Sequence, residues 1–130
     1  MKYSIIIPVL NEEILLPGIL GQLNDPLLKK KYDYEIIISD GGSKDNTIEI
    51  ALKIADVVKL HNKDYKQNIA QGRNEGAKLA KGEILVFLNG DIHLPSVVEF
   101  FNFIDNMFYN GWIACPDPSA EHEYNLHLCL

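Results

Sequence analysis

Residues 84–95 read ILVFLNGDIHLP, and this stretch decides the fold because five consecutive apolar residues run straight into a polar turn. An apolar run without in-and-out alternation is typical of a strand that is buried on both faces. YEIIIS at 34–39 has the same character, and shorter β-rich runs occupy 3–7 and 57–60. The sequence therefore predicts a parallel sheet covered by helices, with a fifth strand at 113–115.

Amphipathic segments between and after these runs predict four helices. The first covers 14–23, with Asn11 as its N-cap and a regular part that begins near Leu16. The fourth begins at Pro95. Its buried side is predicted to carry Val97, Val98, Phe101, Ile104 and Phe108, and Phe100 and Phe103 are also expected in the core.

The two middle helices are indicated by the residues at their ends. Asp45 or Asn46 can cap the second helix, with Glu49 placed to complete the capping interaction. Its inward residues are predicted to be Ile48, Leu52 and Ala55. The third helix covers 68–80, and Gly82 after it suits a left-handed C-terminal cap. Strands and helices thus alternate, which favours a three-layer α/β/α sandwich with a mainly parallel, Rossmann-like sheet.

Composition limits the possible partners and the compartment. The chain has 130 residues and a net charge of −6, which argues against broad binding to nucleic acid or anionic lipid. No apolar run approaches the roughly 20 residues needed to cross a bilayer, and no signal peptide is recognisable. Two cysteines form no disulfide framework, so we expect a reducing, cytoplasmic setting, with membrane association only through parts outside this chain. A zinc site is not expected, because the spacing of Cys115, His122, His127 and Cys129 matches no usual ligand pattern.

Three polar loops follow the predicted strands at their carboxyl ends. They cover residues 8–12, 40–45 and 89–93. In an open parallel sheet these loops share one edge, where ligands bind near a topological switch point. We therefore expect Asp40 and Asp91 to lie beside a common binding site.

Four segments follow one another along the chain: SIIIPVLNEE at 4–13, IIISDGGSKDNT at 36–47, QGRNEGAKLAKGE at 71–83 and VFLNGDIHLP at 86–95. In this order they resemble the nucleotide-sugar half of family-two glycosyltransferases, which have the GT-A fold. Each segment alone is a weak signal, but four in the right order and spacing are strong. The resemblance implies a nucleotide-sugar-binding domain over 1–115. Residues 116–130 would then begin the acceptor-side region or form a C-terminal tail with a short helix.

The resemblance also implies roles for individual residues. Pro8 and Asn11-Glu12 would border the nucleobase and ribose, Asp40 would hydrogen-bond the base, and Arg73 would lie near the diphosphate. Asp91 would bind Mg²⁺ or Mn²⁺, which prefer hard oxygen ligands. The substrate-binding set carried over is Pro8, Val9, Asn11, Glu12, Asp40, Gly42, Arg73, Asn89, Gly90 and Asp91.

One position departs from the family pattern. The family usually has Asp-x-Asp where this chain has Asn89-Gly90-Asp91, and an amide holds a metal less firmly than a carboxylate. His93 offers an alternative ligand, because residues i and i+2 of an extended stretch project to the same side. Simpler interpretations stay open for Asp40 as a turn cap, Arg73 as a surface residue and His93 as a loop residue.

The reaction that the resemblance implies is metal-dependent glycosyl transfer with inversion, from a nucleoside-diphosphate sugar to a hydroxyl of a sugar, lipid or protein. The general base would come from a later part of the domain, since Asp117 and Glu121 follow Asp91 too soon. The chain is thus expected to hold mainly the donor site and to be a fragment of a longer protein. Two other classes stay open: a nucleotidyltransferase, which should have a glycine-rich loop after the first strand, and a non-catalytic nucleotide-binding module.

Overall fold

The computed structural model describes residues 1–109 and 127–129. Its sheet contains β1 (Tyr3–Val9), β2 (Tyr34–Asp40), β3 (Val57–Leu60), β4 (Ile84–Phe87) and β5 (His127–Cys129). The strand order is β3-β2-β1-β4-β5; the first four strands are parallel, and β5 pairs antiparallel with β4. The predicted mainly parallel sheet is confirmed. The strand expected at 113–115 lies outside the described residues, and the tail forms a strand rather than a helix at its three described positions.

The helices are α1 (Leu16–Leu23), α2 (Pro26–Tyr32), α3 (Thr47–Ile54), α4 (Ile69–Lys78) and α5 (Val97–Tyr109). Alternate residues of the central strands point to opposite faces of the sheet. The larger core cluster joins one face to α1, α2, α3 and α5, whereas the smaller cluster lies under α4 on the other face. The three-layer sandwich is therefore confirmed. No described helix has the length and hydropathy of a bilayer-spanning segment.

The start of α1 differs from the prediction at its cap. The regular helix begins at Leu16 as expected, but its N-cap is Leu15, which makes no side-chain capping bond. Asn11 is not the cap, because it adopts a left-handed conformation with φ of 51° and its side chain turns to another loop. The helix α2 has no counterpart among the predicted helices. Asp25 caps it by accepting hydrogen bonds from the backbone N–H groups of Leu27 and Leu28.

The buried stripes of α3 and α5 are rotated from the predicted ones. In α3 the fully buried residues are Thr47 and Ala51, and Leu52 is 64% exposed, so its inward assignment was wrong. No capping box forms at Asn46. In α5 Phe100, Phe101 and Ile104 are buried as predicted, whereas Val98 and Phe103 are exposed. The side chain of Phe108 lies outside the described set.

Gly82 is required by a close approach of two chain segments and not by a left-handed helix cap. It has no positive φ, and α4 already ends at Lys78. A Cβ atom at position 82 would lie 2.6 Å from the backbone nitrogen of Ser4. The glycine therefore lets the turn before β4 lie directly on the start of β1.

Candidate functional site

A cavity of about 320 Å³ opens at the carboxyl edge of the sheet. The chain moves outward from β1 through β2 to β3 and then crosses to β4 on the other side of β1, so the topological switch point lies between β1 and β4. The cavity lies at this point, where ligands bind in open α/β sheets. It extends from the β4 loop across the end of β1 to the end of β2 and the start of α4.

Six predicted site residues line this cavity. They are Pro8, Val9, Glu12, Asn89, Gly90 and Asp91. Asn11, Asp40, Gly42, Arg73 and His93 are not among the lining residues. The structure thus brings together six predicted residues of the β1 and β4 loops, whereas Asp40 and Gly42 of the β2 loop do not line the cavity.

The carboxylate of Asp40 is occupied by its own turn. It accepts hydrogen bonds from the backbone N–H groups of Gly42 and Ser43, both 2.9 Å long, and from the hydroxyl of Ser43. The residue is only 1% exposed. Gly42 has φ of 108°, which suits a glycine in this turn. The binding of a nucleobase by Asp40 stays a prediction. The observed hydrogen bonds are those of the simpler interpretation, in which Asp40 caps its own turn.

The loops after β1 and β2 are joined by side-chain hydrogen bonds. The backbone N–H of Lys44 donates to Asn11 Oδ1 and the backbone N–H of Asn11 donates to Ser43 Oγ, both over 2.8 Å. The backbone N–H of Glu12 donates to Thr47 Oγ1, also over 2.8 Å. Asn11 therefore acts in this structure as a connector between loops, which explains why it does not reach the cavity.

Asp91 and Glu12 form the acidic end of the cavity. Asp91 is exposed and lies in a turn that is closed by a hydrogen bond from the backbone N–H of Ile92 to the Asn89 carbonyl. The backbone is thus turned at Asp91, and the pairing of Asp91 with His93 at a metal stays a prediction. Burial, followed by the negative charges of Asp91 and Asp45, raises the pKa of Glu12 above its usual value. No ion pair among the described residues neutralises Glu12 or Asp91.

Arg73 lies on α4 directly after Gly72, which lines the cavity. Its Nε atom is buried and has no hydrogen-bond partner within the described part of the chain. None of the ion pairs found among residues 1–109 involves this guanidinium. Arg73 therefore has a buried donor that no described residue uses.

Seven residues that line the rest of the cavity were not predicted from the sequence. They are Leu10, Ser39, Gly41, Gln67, Asn68, Ile69 and Gly72. Asn68 and Gln71 form a capping box, which was a usable signal that α4 begins at this edge. Gln67 has no such signal, since an isolated glutamine before a helix belongs to no recognised motif.

Comparisons with known proteins match one family over most of the chain. The Glycosyl transferase family 2 model matches residues 4–108. The chain is 34% identical over 109 residues to a poly(ribitol-phosphate) beta-glucosyltransferase from Bacillus spizizenii, covering 79% of this chain and 17% of that protein. The S. aureus TarS structure in complex with UDP-GlcNAc matches with a TM-score of 0.63 and 26% identity, over 83% of this chain and 32% of that one.

The mannosyltransferase PcManGT from Pyrobaculum calidifontis, in complex with GDP-Man and Mn²⁺, matches with a TM-score of 0.66. Its identity is 22%, over 88% of this chain and 33% of that chain, so it shows a shared fold. The predicted GT-A type of sandwich is confirmed by these structures. The chain spans 17% of the Bacillus protein and no more than about a third of the two structures.

Proposed function

This chain belongs to glycosyl transferase family 2, and from that premise we propose that it binds a nucleoside-diphosphate sugar together with a divalent cation. The activity proposed is transfer of the sugar to an acceptor hydroxyl with inversion. The observation that carries the proposal is the cavity at the switch point, with two unneutralised carboxylates at one end and a largely uncharged lining at the other. S. aureus TarS, at 26% identity, is a protein of the same fold in complex with UDP-GlcNAc.

The acidic end of the cavity fits Mg²⁺ or Mn²⁺. Asp91 and Glu12 supply hard oxygen atoms, their charges are close enough to affect each other, and Asn89 adds an amide carbonyl. Such ions often need only one or two carboxylates when phosphate and water complete the coordination. When bound, the cation would stabilise negative charge on the leaving diphosphate. His93 as a further ligand stays a prediction that rests on the family resemblance alone.

The remaining residues bind and orient the donor in this proposal. Arg73 donates to the diphosphate, because its Nε lacks a partner and its helix begins at the cavity. Pro8 and Glu12 border the nucleoside, and the base lies towards the end of β2. The acceptor hydroxyl oxygen attacks the anomeric carbon as its proton passes to a general base, and the bond from that carbon to the diphosphate oxygen breaks. No described residue is assigned as the general base.

The acceptor and the compartment belong to the same proposal. The acceptor is a hydroxyl of a sugar, lipid or protein, and the net charge of −6 argues against nucleic acid as a partner. The proposed location is the cytoplasm or the cytoplasmic face of a membrane, on the basis of the low cysteine content.

A thermal-shift panel tests the donor site. UDP-, GDP- and dTDP-sugars are each added with Mn²⁺ and again with EDTA. A ligand at about 100 times its Kd stabilises the folded state by roughly 2.7 kcal/mol, which raises Tm by several degrees. We expect a shift that depends on Mn²⁺ for at least one sugar nucleotide. The absence of any shift across the panel would contradict a working donor site in this chain.

Turnover then separates the three classes of function. Hydrolysis of the sugar nucleotide, or transfer to an added acceptor, supports a glycosyltransferase. Pyrophosphate-dependent exchange supports a nucleotidyltransferase, although PVLNEE after β1 is not the glycine-rich loop expected of that class. Binding without turnover supports a nucleotide-binding module.

A further inference from the structure

The positive charge of the chain is unevenly distributed. Residues 57–81 contain six of the 12 basic residues but only two of the 18 acidic ones, so this segment has a formal charge of +4 and the rest of the chain −10. At physiological salt, exposed charges act over only about 8 Å, so a surface responds to the charges near it and not to the net charge of the protein. The segment 57–81 can therefore attract anionic groups even though the whole chain is acidic.

The fold places part of this segment at one edge of the sheet. Strand β3 is the outermost strand on its side of the described sheet. Lys59 of β3 pairs in parallel register with Ser39 of β2, so the two side chains project to the same face. That face is covered by α4, because a Cβ atom at Gly76 would lie 3.5 Å from Ser39 Cβ. Lys59 therefore lies on the α4 side of the sheet, at its edge.

Other lysines meet Lys59 beside α4. Lys78 Nζ lies 3.0 Å from the carboxylate of Glu75, one turn away on the same helix. The pKa of Glu75 is lowered first by the hydrogen bond and charge of Lys78. The charges of Lys59 and Lys63 lower it further, so both ammonium groups lie near this flank of α4. One carboxylate thus faces three lysines.

We call this surface the basic edge and define it by Lys59, Lys63, Lys66 and Lys78. Lys63 and Lys66 are exposed in the loop that joins β3 to α4, and neither forms an ion pair with a described residue. Between them lies Tyr65, which is 50% exposed, and Leu60 at the end of β3 is 47% exposed. The basic edge therefore combines long flexible cations with an open aromatic ring and an aliphatic side chain.

This combination favours a lipid surface over a protein partner. Protein interfaces are enriched in arginine and depleted in lysine, whereas the cations of the basic edge are all lysines. Lysine is a compact point charge on an apolar stem, so it can meet mobile headgroups without a fixed geometry. Tyrosine is enriched at the boundary between headgroups and acyl chains, because its ring is apolar and its hydroxyl is polar.

The other run of lysines in the chain is neutralised by its surroundings. Lys29–Lys31 fill the last turn of α2 in the opposite layer. Lys29 Nζ lies 2.7 Å from the carboxylate of Asp56, and Asp25 and Asp33 occupy the two ends of the helix. The positive charges of α2 are therefore offset locally, whereas those of the basic edge are in excess.

We infer that the basic edge docks this chain on a membrane surface that carries anionic headgroups, with Tyr65 lying among the headgroups. Each lysine close to such a surface contributes roughly a fivefold gain in affinity. Membrane contact, which the net charge assigned to parts outside this chain, then lies within it. The loop that carries Lys63 and Lys66 continues into Gln67 and Asn68, which line the cavity, so docking would hold the cavity near the lipid surface.

Flotation of the chain with lipid vesicles tests the inference. Vesicles of equimolar phosphatidylcholine and phosphatidylglycerol are compared with vesicles of phosphatidylcholine alone. The chain should bind the anionic vesicles and not the neutral ones. Binding should weaken as NaCl is raised, since the Debye length falls from about 10 Å at 0.1 M to about 3 Å at 1 M. The double variant Lys63→Gln/Lys66→Gln should bind roughly 20-fold more weakly, and Tyr65→Ala roughly threefold.

Lys30→Gln/Lys31→Gln is the matched control, because it removes the same charge from two exposed lysines on α2. It should leave vesicle affinity nearly unchanged, and an unchanged Tm shows that each double variant is folded. Equal losses in the two double variants would overturn the inference, and so would equal binding to neutral vesicles or no binding to anionic ones. Retention on poly-glutamate beads without vesicle binding would also overturn it, in favour of an acidic protein partner.

The inference is independent of the proposed donor function. Neither Lys63 nor Lys66 lines the cavity, so Mn²⁺-dependent nucleotide affinity should be the same in Lys63→Gln/Lys66→Gln as in the wild type. A chain that binds anionic vesicles but no sugar nucleotide would contradict the proposed function and leave the docking surface intact. A chain that binds the nucleotide but not the vesicles would do the reverse.

Discussion

Two parts of the same sheet edge use their polar residues in different ways. The loops after β1 and β2 are held together by hydrogen bonds between the side chains of one loop and the backbone of the other. In the loop after β4, Asn89, Asp91 and His93 make no side-chain hydrogen bond or ion pair with described residues. A polar residue at a ligand-binding edge can thus serve the loop itself or remain free for a ligand.

This difference in hydrogen bonding between the loops explains which predicted site residues reach the cavity. Asn11 and Asp40 were predicted as ligand-binding residues from their type and position. In the structure, the side-chain oxygens of both accept hydrogen bonds from nearby backbone N–H groups. Asp91 follows a rigid buried strand and keeps its carboxylate unpaired. The β1 and β2 loops therefore form a fixed wall, and the β4 loop carries an unpaired carboxylate.

Substitution of Asp91 tests the loop after β4, and it should have the largest effect of the substitutions considered, a loss of Mn²⁺-dependent nucleotide affinity. Asp91→Asn removes the negative charge without changing the shape of the side chain. Loss of one partner of a close charged pair costs about 2–5 kcal/mol, so Mn²⁺-dependent nucleotide affinity should fall by roughly 10²-fold. Titration calorimetry gives the affinity, and Tm should change little because Asp91 is exposed.

Asp64→Asn is the matched control, since Asp64 is exposed and does not line the cavity. It removes the same formal charge from the protein. If Asp64→Asn weakened binding as much as Asp91→Asn, the effect would come from net charge and not from the β4 loop.

Substitution of Gly76 tests how closely α4 packs on the sheet. A Cβ atom at Gly76 would lie 2.6 Å from Ile6 Cγ2, and Ile6 is fully buried. Gly76→Ala should therefore destabilise the fold by about 1–3 kcal/mol through overpacking. Gly21→Ala is the matched helical control, with nothing within 4 Å of its Cβ, and it should stabilise by up to about 1 kcal/mol. Urea unfolding that ranks these two variants in the reverse order would contradict the close approach of α4.

Substitution of Thr47 tests the bonds between the two loops. Thr47→Val keeps the shape and removes the hydroxyl that accepts from the backbone N–H of Glu12 and donates to Asp45. The loss should be about 1–2 kcal/mol in the free energy of unfolding. Thr47→Ser keeps the hydroxyl and should cost less. A loss in Thr47→Ser with none in Thr47→Val would mean that the methyl group and not the hydrogen bonds stabilises this wall.

The same variant has a pH signature. The hydrogen bond from the Thr47 side chain is the main cause that lowers the pKa of Asp45. A lowered folded-state pKa contributes stability above the unfolded pKa, and this stability is lost as pH falls through the folded value. In Thr47→Val the pKa of Asp45 should rise towards its ordinary value, as measured by NMR titration of the carboxyl carbon. An unchanged pKa would contradict the hydrogen bond.

Substitution of His93 should have the smallest effect on the fold. The side chain is exposed, so His93→Ala should change stability by no more than about 0.5 kcal/mol. Its effect on Mn²⁺-dependent nucleotide binding decides the ligand hypothesis. Unchanged binding removes His93 from the metal site, and a loss close to that of Asp91→Asn would show that the β4 loop supplies two ligands.

The strands and the shared edge could be predicted because a strand that is buried on both faces needs an uninterrupted run of apolar residues. The apolar runs at 34–39 and 84–88 predicted parallel strands, and the loops after them had to meet at one edge. The helix α2 was missed because its buried contribution is small and three lysines fill its last turn. Leu52 was misplaced because apolar spacing alone left the rotation of α3 undetermined by one position.

The location of the candidate site could be predicted from the sequence, but only some of the residues that line it could. Whether Asp40 faces a ligand or its own turn depends on the φ value of Gly42 and on the position of Ser43, which a residue pattern does not specify. Gln67 lies in a loop with no motif, and its orientation depends on His61 and on the carbonyl of Tyr65. Such contacts between loops arise only in the folded chain.

NMR of the ¹⁵N-labelled chain with its tightest nucleoside diphosphate tests the central claim most directly. With Mg²⁺ present, the backbone amide signals of Gly41, Gly72, Gly90 and Asp91 should all shift, since one ligand spans both parts of the edge. When Mn²⁺ replaces Mg²⁺, paramagnetic broadening should be strongest at Asp91 and weaker towards Gly41. Shifts confined to one of the two parts, or broadening centred on the helices of the opposite layer, would contradict the account.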